Sequence, residues 1–347
     1  MTDIIPDDPL ADPLLLASRW HHGGERVALA TVTETWGSAP RPAGSRMAIT
    51  ESGRIAGSVS GGCVESAVVQ AAVETLQDRA PRLLSYGVSD EDAFSVGLAC
   101  GGTIKVFVEP VLAAETIDRL CAARGARAMA VLATRLSDGT QHLVCEGSLP
   151  QGLPDGLDGA IRQAEREGGR SRSIELAGES WFLHVHAPPP RLLIVGAVHI
   201  AQALAPLARM VGLDVTVIDP RESFATPERF PGIALLTLWP DEALERLRLD
   251  RHSAVVTLTH DPKLDDPALR AALGGPAFYV GALGSRKTQA GRRERLRAAG
   301  LDEASLDRLH GPVGLAIGAI GAQEIAVSIL AEIVAVQRAA PLGSRRG

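Results

Sequence analysis

The second half of the chain alternates short apolar segments with longer segments of helical periodicity. Four segments are short, apolar and rich in β-branched residues, as buried strands are: Leu192–Val195, Asp214–Ile218, Ala254–Leu258 and Ala277–Val280. Helical spacing predicts helices over Ile200–Val211 and Asp241–Leu249, and a long closing helix over Ala322–Gln337. Strands that alternate with helices predict a parallel sheet covered on both faces.

The first half is less regular, and its pattern predicts a mixed α/β domain. Strands are predicted over Val27–Thr35, Arg46–Thr50, Arg54–Val59 and Thr103–Val108, and helices over Leu14–His21 and Val64–Leu76. The prolines at 188–190 stop helices and central strands and favour an extended segment. We therefore expect an N-terminal domain over 1–187, a linker at 188–190 and a C-terminal domain over 191–347.

Length and charge narrow the class of protein. The 347 residues exceed what one hydrophobic core usually holds, which agrees with two domains. The net charge is −6, from 35 Lys and Arg against 41 Asp and Glu, so we expect no nucleic-acid partner. No segment approaches the ~20 apolar residues of a membrane helix, and the acidic, proline-rich start does not resemble a signal peptide. We expect a cytoplasmic protein without a membrane partner. A local cluster of arginines on a predicted helix is interpreted as a solvated face: Arg292, Arg293, Arg295 and Arg297.

One of the four cysteines lies in a glycine turn that suits ligand chemistry. Cys63 follows Gly61 and Gly62, between a predicted strand and a predicted helix. Paired glycines allow a tight bend whose backbone amides face one point, where an anion is stabilised. A cysteine at a helix N-terminus has a lowered pKa and forms a thiolate, which is a good ligand or nucleophile. The alternative is a small buried thiol at a tight turn.

The other cysteines divide into one further candidate and two packing residues. Cys100 precedes Gly101 and Gly102 and so repeats the pattern of a cysteine beside paired glycines. We hypothesise that the two turns contribute to one pocket. Cys121 and Cys145 lie on a predicted helix and strand and are interpreted as packing residues. The spacing lacks a Cys-x-x-Cys pair, so free thiols are expected in a reducing compartment.

A proline- and glycine-rich turn carries two arginines. Arg41 and Arg46 bracket the turn from Pro40 to Ser45. Two guanidinium groups on a rigid turn can hold a phosphate through forked hydrogen bonds. The alternative is a solvated hairpin.

The turn after the first strand of the C-terminal domain resembles a dinucleotide-binding fingerprint. Gly196 follows the strand, a helix begins near His199, and Asp219 ends the next strand. In the Rossmann fold the glycines admit a pyrophosphate and the acidic residue holds a ribose. Val198 occupies the second glycine position, where its branched side chain would crowd the phosphates. A turn without a ligand and a turn that binds a nucleotide-like group both stay open, as does a capping or ligand role for His199.

Two more loops follow the carboxyl ends of predicted strands, and both should face the same crevice as the turn at Gly196. Gly284, Ser285 and Arg286 follow one strand and precede a basic helix, which predicts an anion site. His260 follows the neighbouring strand, beside Asp261. A metal at these residues would lack a full set of ligands.

Together these motifs resemble the XdhC/CoxI family of accessory proteins. Its N-terminal domain is similar to the turn after Gly37, to the segment Ser58–Glu65 and to Cys100–Gly102. Its C-terminal Rossmann domain is similar to Val195–Ala201, Val217–Arg221, Thr259–Asp261, Tyr279–Arg286 and Glu324–Ala326. The resemblance extends from about Val27 to Gln337, and the order and joint occurrence of the motifs carry it.

The resemblance implies a maturation factor for molybdenum hydroxylases. Such a protein binds a molybdopterin-type molybdenum cofactor, supports sulfuration of the metal with a cysteine desulfurase, and delivers the cofactor to an apo enzyme. Xanthine dehydrogenase and carbon monoxide dehydrogenase are the expected client types. A soft thiolate suits molybdenum or a transferable sulfur, which makes Cys63 the candidate ligand to the metal. We expect the cofactor to bind between the two domains.

Other classes of function stay open at this point. The Rossmann-like domain would also suit an NAD(P)-dependent oxidoreductase, although Val198 argues against tight nucleotide binding. A docking scaffold without a ligand is a third class. An accessory protein rather than an enzyme is the favoured interpretation, and whether it forms a homodimer is left open.

Overall fold

The computed structural model describes residues 12–37, 41–87, 102–111, 114–145, 148–150, 152–166 and 170–339. The chain divides into two compact units, 1–188 and 189–347. This division falls within the proline segment at which the sequence predicts a linker. That each unit folds independently stays a prediction.

Five strands of the described chain form the first sheet of unit 1. They are β1 (Val27–Trp36), β2 (Arg46–Thr50), β3 (Ile55–Gly57), β4 (Arg82–Tyr86) and β5 (Thr103–Pro110). The spatial order is β3-β2-β1-β5-β4, and each neighbouring pair is antiparallel. The register between β1 and β5 shifts between Val32 and Glu34, which marks a bulge. Sequence analysis missed β4 and placed the other strands within a few residues of their observed bounds.

A second antiparallel sheet and four helices complete the described part of unit 1. The sheet has the order β7-β6-β9-β8 and contains β6 (Ala130–Arg135), β7 (Gln141–Cys145), β8 (Arg172–Leu176) and β9 (Glu179–His186). The helices are α1 (Pro13–His22), α2 (Glu65–Asp78), α3 (Ala114–Gly125) and α4 (Leu157–Arg166).

The two faces of the first sheet belong to different hydrophobic cores. Successive side chains of a strand point to opposite faces. Met47 and Ile49 of β2 pack in a core with Val68 of α2. Ala48, between them, packs in a second core with Leu132 of β6 and with apolar residues of α1 and α3. A β2 side chain therefore packs in one core or in the other, according to the face of the sheet on which it lies.

Unit 2 is built on a parallel sheet. Its described strands are β10 (Arg191–Val195), β11 (Asp214–Ile218), β12 (Ala234–Leu236), β13 (Ser253–Thr257), β14 (Tyr279–Ala282) and β15 (Leu309–His310). The order is β12-β11-β10-β13-β14-β15, with parallel pairing throughout. The chain moves outward from β10 on one side and then on the other, which opens a crevice at the carboxyl ends of β10 and β13.

Helices cover both faces of this sheet. They are α5 (His199–Met210), α6 (Pro240–Leu247), α7 (Pro262–Leu273), α8 (Arg286–Ala298), α9 (Glu303–Asp307) and α10 (Ala322–Gln337). Ile194 packs with residues of α5 and α10, whereas its neighbour Leu193 packs with residues of α6, α7 and α8. The predicted fold class is confirmed: a Rossmann-like parallel sheet domain follows an N-terminal mixed α/β domain. No helix in the described part of the chain is long and apolar enough to cross a membrane.

Candidate functional site

The cysteine turn of unit 1 connects β3 to α2. Gly61 and Gly62 have φ angles of 83° and 124°, a region that favours glycine. Both glycines are exposed, and Cys63 is half-buried as a free thiol. The predicted bend between a strand and a helix is therefore present. Cys63 also packs against the core that contains Met47 and Val68.

The backbone amides of this turn bind a carboxylate of the chain itself. Glu65, the first residue of α2, accepts hydrogen bonds from the amides of Val59, Ser60, Gly61 and Gly62 at 3.3, 2.9, 3.0 and 2.8 Å. The hydroxyls of Ser58 and Ser60 also donate to it. Burial alone would raise the pKa of Glu65, but these hydrogen bonds outweigh it and lower the pKa from 4.5 to about 2.

The prediction of free amides at this turn is therefore wrong. A fixed carboxylate satisfies the amides of Gly61 and Gly62, and the amide of Cys63 donates to the Ser60 hydroxyl at 3.0 Å. An external anion would have to displace Glu65. What the turn presents to a ligand is the Cys63 side chain beside two exposed glycines, and an added Cβ at Gly62 would meet no atom within 4 Å.

The two arginines of the basic turn are separated in the structure. Arg41 is exposed, whereas Arg46 is buried on β2 with only 8% of its surface accessible. Arg46 shares the face of Ala48, while Met47, on the other face, packs in the core that Cys63 contacts. The hypothesis that Arg41 and Arg46 together hold a phosphate at an exposed turn is therefore wrong, because the Arg46 side chain is buried within β2.

The other cysteines follow the sequence interpretation where the structure describes them. Cys121 on α3 and Cys145 on β7 are free, half-buried thiols that pack against the core between the sheets. Burial, with the negative charges of Asp12 and Asp118, raises the pKa of Cys121 to about 11. Cys100 and Gly101 lie outside the described residues, so a pocket shared with Cys63 stays a prediction.

The glycine turn of unit 2 is also closed by a carboxylate of the chain. Gly196 has φ 108°, and a Cβ there would lie 2.6 Å from Cγ2 of Thr259, so glycine is required. Asp219, 1% exposed, accepts hydrogen bonds from the Ala197 amide at 2.8 Å and from the Arg221 guanidinium at 2.8 and 2.7 Å. Burial would raise the pKa of Asp219, but these hydrogen bonds lower it below 3.8.

This arrangement differs from a ribose-binding site. The Asp219 carboxylate already holds the turn and Arg221, so it is not a free acceptor for ribose hydroxyls. Val198 packs against the core as the residue before α5, and no side chain caps this helix. His199, the first residue of α5, is exposed. The predicted strand–turn–helix unit is therefore present, with its acidic residue in a structural role.

Other side chains at the carboxyl ends of the sheet are exposed. His260 follows β13, is exposed, and has a φ of 63°. Ser285 caps α8 by accepting a hydrogen bond from the Thr288 amide at 3.2 Å, and Arg286 is the exposed first residue of that helix. Gly284 before them has φ 135°. These residues and His199 follow neighbouring strands of one parallel sheet, as predicted.

Acidic residues near His260 have other partners. Asp261 caps α7 by accepting the Lys263 amide at 2.9 Å. Asp265 accepts from Thr259 at 2.7 Å and forms a buried ion pair with Arg292 at 2.9 Å. In the part of the chain that the structure describes, no group of three or more His, Cys, Asp or Glu residues could hold a metal ion.

Sequence reasoning missed the residues that close these turns. It assigned no role to Glu65, although an acidic residue at a helix start after serines is typical of a cap. Arg292 was interpreted as solvated, yet it is 1% exposed and lies on the same helical face as buried Gln289 and Leu296. That spacing is a signal that could have identified it.

Comparison with known proteins places both units in one family. A model described as the XdhC Rossmann domain matches residues 192–333, and one described as the XdhC and CoxI family matches residues 20–87. The molybdenum cofactor insertion chaperone PaoD of Escherichia coli (strain K12) is 30% identical over 314 residues, which cover 90% of this chain and 84% of PaoD.

Two further comparisons support the same family assignment. A protein of Bacillus subtilis (strain 168), named as a probable xanthine dehydrogenase subunit, is 30% identical over 326 residues, which cover 90% of this chain and 94% of that protein. A crystal structure of a xanthine dehydrogenase from Bacillus halodurans has a TM-score of 0.76 and 26% identity, and the match covers 97% of this chain and 98% of that one. This chain belongs to the XdhC and CoxI family.

Proposed function

We propose that this protein is a maturation factor that binds the molybdenum cofactor as cargo and inserts it into an apo molybdenum hydroxylase. The observation that carries the proposal is the match to PaoD, a molybdenum cofactor insertion chaperone by name, over 84% of its length at 30% identity. A match of this extent includes both units. The Bacillus subtilis relative, whose name refers to xanthine dehydrogenase, supports a client of that type.

Cys63 is the residue that we propose contacts the cargo. Its thiol is half-buried at a turn whose neighbouring glycines are exposed, so a bulky ligand can approach the sulfur. Sulfur ligands suit molybdenum, and a thiol can also carry a transferable sulfur. Because Glu65 occupies the amides of the turn, we propose that side chains hold the phosphate of the cargo, and exposed Arg41 of the same unit is the candidate.

The finer part of the proposal is sulfuration. In this scheme the protein holds the cofactor while a cysteine desulfurase donates persulfide sulfur and an external two-electron reductant converts it to a sulfido ligand of the metal. The displaced oxo ligand takes up two protons and leaves as water, and the loaded cofactor then passes to the client. Xanthine dehydrogenase and carbon monoxide dehydrogenase are the proposed client types. The geometry of unit 2 makes the alternative of an NAD(P)-dependent oxidoreductase weaker, because Asp219 is engaged by Ala197 and Arg221.

The test is purification of the full chain from a cofactor-producing host, followed by metal analysis and fluorescence of the oxidised pterin. The wild-type protein and a Cys121→Ser variant should both retain molybdenum and pterin. Cys63→Ser removes the soft ligand at nearly constant size, so it should fold normally and retain roughly tenfold less cofactor, a loss of about 1.4 kcal/mol in binding free energy. Cys121 is the matched control because it is another half-buried free thiol of the same unit.

A second readout is activation of an apo xanthine dehydrogenase by the loaded protein. Activation should fall with Cys63→Ser and persist with Cys121→Ser. If the wild-type protein carries neither molybdenum nor pterin and activates no client, the proposed function is wrong. If it carries both and Cys63→Ser carries as much, the cargo binds elsewhere in the protein.

A further inference from the structure

Unit 1 contains a buried arginine that lacks the hydrogen bonds its charge requires. Arg46 on β2 is 8% exposed, and its Nε and Nη1 atoms are buried without a partner among the described residues. Burial lowers the pKa of Arg46 from 12.5 to about 10, partly opposed by the charge of Glu109, so the guanidinium is positive at neutral pH. Burying an unpaired charge costs several kcal/mol. A negative charge placed beside the guanidinium would offset part of this cost.

A cavity of about 230 Å³ lies beside this guanidinium. Arg46, Glu109 and Gln141 are polar residues of its wall, and the exposed residues Arg79 and Asp138 line it as well. The rest of the wall is largely apolar and includes Leu14, Leu29, Ile117, Leu120 and Leu132. A polar group at one end of an apolar cavity is the usual composition of a small-molecule site, and this volume is below the ~300–1,000 Å³ of drug-sized pockets.

The charges around Arg46 leave its own charge incompletely balanced. Burial raises the pKa of Glu109 to about 7, so this carboxyl is partly neutral at physiological pH. His184 and His186 of β9 are stacked with ring centroids 4.2 Å apart, and burial and the charge of Arg46 hold their pKa values well below 6.5. Asp12 forms an ion pair with Arg124 at 2.9 Å. The described surroundings therefore favour an incoming anion next to Arg46.

We propose that this cavity binds a small organic acid, whose carboxylate pairs with Arg46 and whose hydrocarbon part lies against the leucine and isoleucine side chains. A guanidinium forms charge-assisted hydrogen bonds with a carboxylate, and Arg46 is the buried positive side chain in the wall of this cavity. The apolar wall favours an organic acid over a fully hydrated inorganic anion, since the wall offers such an anion no hydrogen bonds.

This site is separate from the proposed cargo contact. Arg46 faces the side of the first sheet on which Ala48 packs, and Cys63 packs on the side of Met47. Failure of one proposal therefore leaves the other standing. A ligand in this cavity would instead act on the stability of unit 1, because it would bind the folded state alone.

Titration calorimetry on the full chain tests the proposal with sodium benzoate and sodium butyrate as probes. Benzyl alcohol, inorganic phosphate and sodium chloride distinguish an organic carboxylate from an apolar molecule or any anion. Benzoate or butyrate should bind saturably to the wild-type protein, and Arg46→Met should weaken that binding at least tenfold. Arg119→Met is the control, because Arg119 is an exposed arginine of the same unit, and it should bind as the wild type does.

A second variant covers the case in which Arg46→Met does not fold. Glu109→Gln removes a competing carboxylate from the polar wall, so at pH 8 it should bind the same acid more tightly than the wild type. The proposal is overturned if neither acid binds, if phosphate or benzyl alcohol binds equally well, or if a folded Arg46→Met binds as tightly as the wild type. It is also overturned if Glu109→Gln leaves the affinity at pH 8 unchanged.

Discussion

Replacement of Glu109 by glutamine should stabilise the protein above neutral pH. Glu109 on β5 is 9% exposed and accepts a hydrogen bond from Nε2 of Gln141 at 2.8 Å. Burial raises its pKa from 4.5 to about 7, because the opposing influences of Arg46 and Gln141 are weaker than the loss of hydration. The folded state therefore binds this proton more tightly than the unfolded state does.

The sign of the pH effect follows from that difference. Between pH 4.5 and 7 the folded state holds a proton that the unfolded state has released, so the free energy of unfolding falls as the pH rises through this window. The free energy of unfolding falls by about 1.4 kcal/mol for each unit between the unfolded and folded pKa values of Glu109. The total loss is therefore roughly 3 kcal/mol by pH 8. Glutamine cannot ionise and keeps an oxygen that accepts from Gln141, so the variant avoids this loss.

The assay is urea unfolding of wild type and Glu109→Gln at pH 4 and pH 8, followed by tryptophan emission. Trp20 and Trp181 are buried in unit 1 and report on its unfolding. We expect nearly equal stabilities at pH 4 and a variant more stable by up to ~3 kcal/mol at pH 8. Glu179→Gln, at an exposed glutamate of the same unit, should show no such divergence. A stability difference that stays constant with pH would refute the reasoning.

Three further substitutions test the turns and ion pairs of unit 2. Gly196→Ala places a Cβ 2.6 Å from Cγ2 of Thr259 at a φ of 108°, so thermal unfolding should show a loss of about 1–3 kcal/mol; an unchanged melting temperature would mean that the turn rearranges freely. Asp265→Asn leaves the buried charge of Arg292 uncompensated and should cost about 3–5 kcal/mol in urea unfolding. Glu303→Gln, in an exposed pair, should cost less than about 1 kcal/mol, and equal losses for the two would show that burial does not matter here.

The parallel sheet of unit 2 was largely predictable from the sequence. The predicted bounds of β11 and α10 coincide with those observed, because β-branched residues and a regular helical stripe mark them. β12 and β15 were missed since they contain three and two residues and leave almost no pattern. In unit 1 the five-residue edge strand β4 was missed for a similar reason: its residues alternate only between half-buried and exposed.

The environments of charged residues were harder to predict. Arg46 was expected at the start of a strand beside a turn, where it could reach a phosphate, but all five residues of β2 are buried because cores pack against both faces of the strand. A pattern of apolar and polar residues predicts the face of a strand only when one face meets water. Arg292 was interpreted as solvated because its helix is basic. In the fold it is buried, and its charge is paired with that of Asp265, which comes from a different helix.

Two of the turns that the sequence indicated for anions share one property that changes how a ligand can bind. Glu65 in unit 1 accepts four backbone amides of its own turn, and Asp219 in unit 2 accepts the Ala197 amide together with Arg221. Each turn is rich in amide donors, and each supplies its own carboxylate to satisfy them. A ligand anion would have to compete with a carboxylate that folding already holds in place. A ligand at either turn would therefore depend on exposed or half-buried side chains, such as Cys63 in unit 1 or His199 in unit 2, rather than on the amides that the glycine patterns suggest.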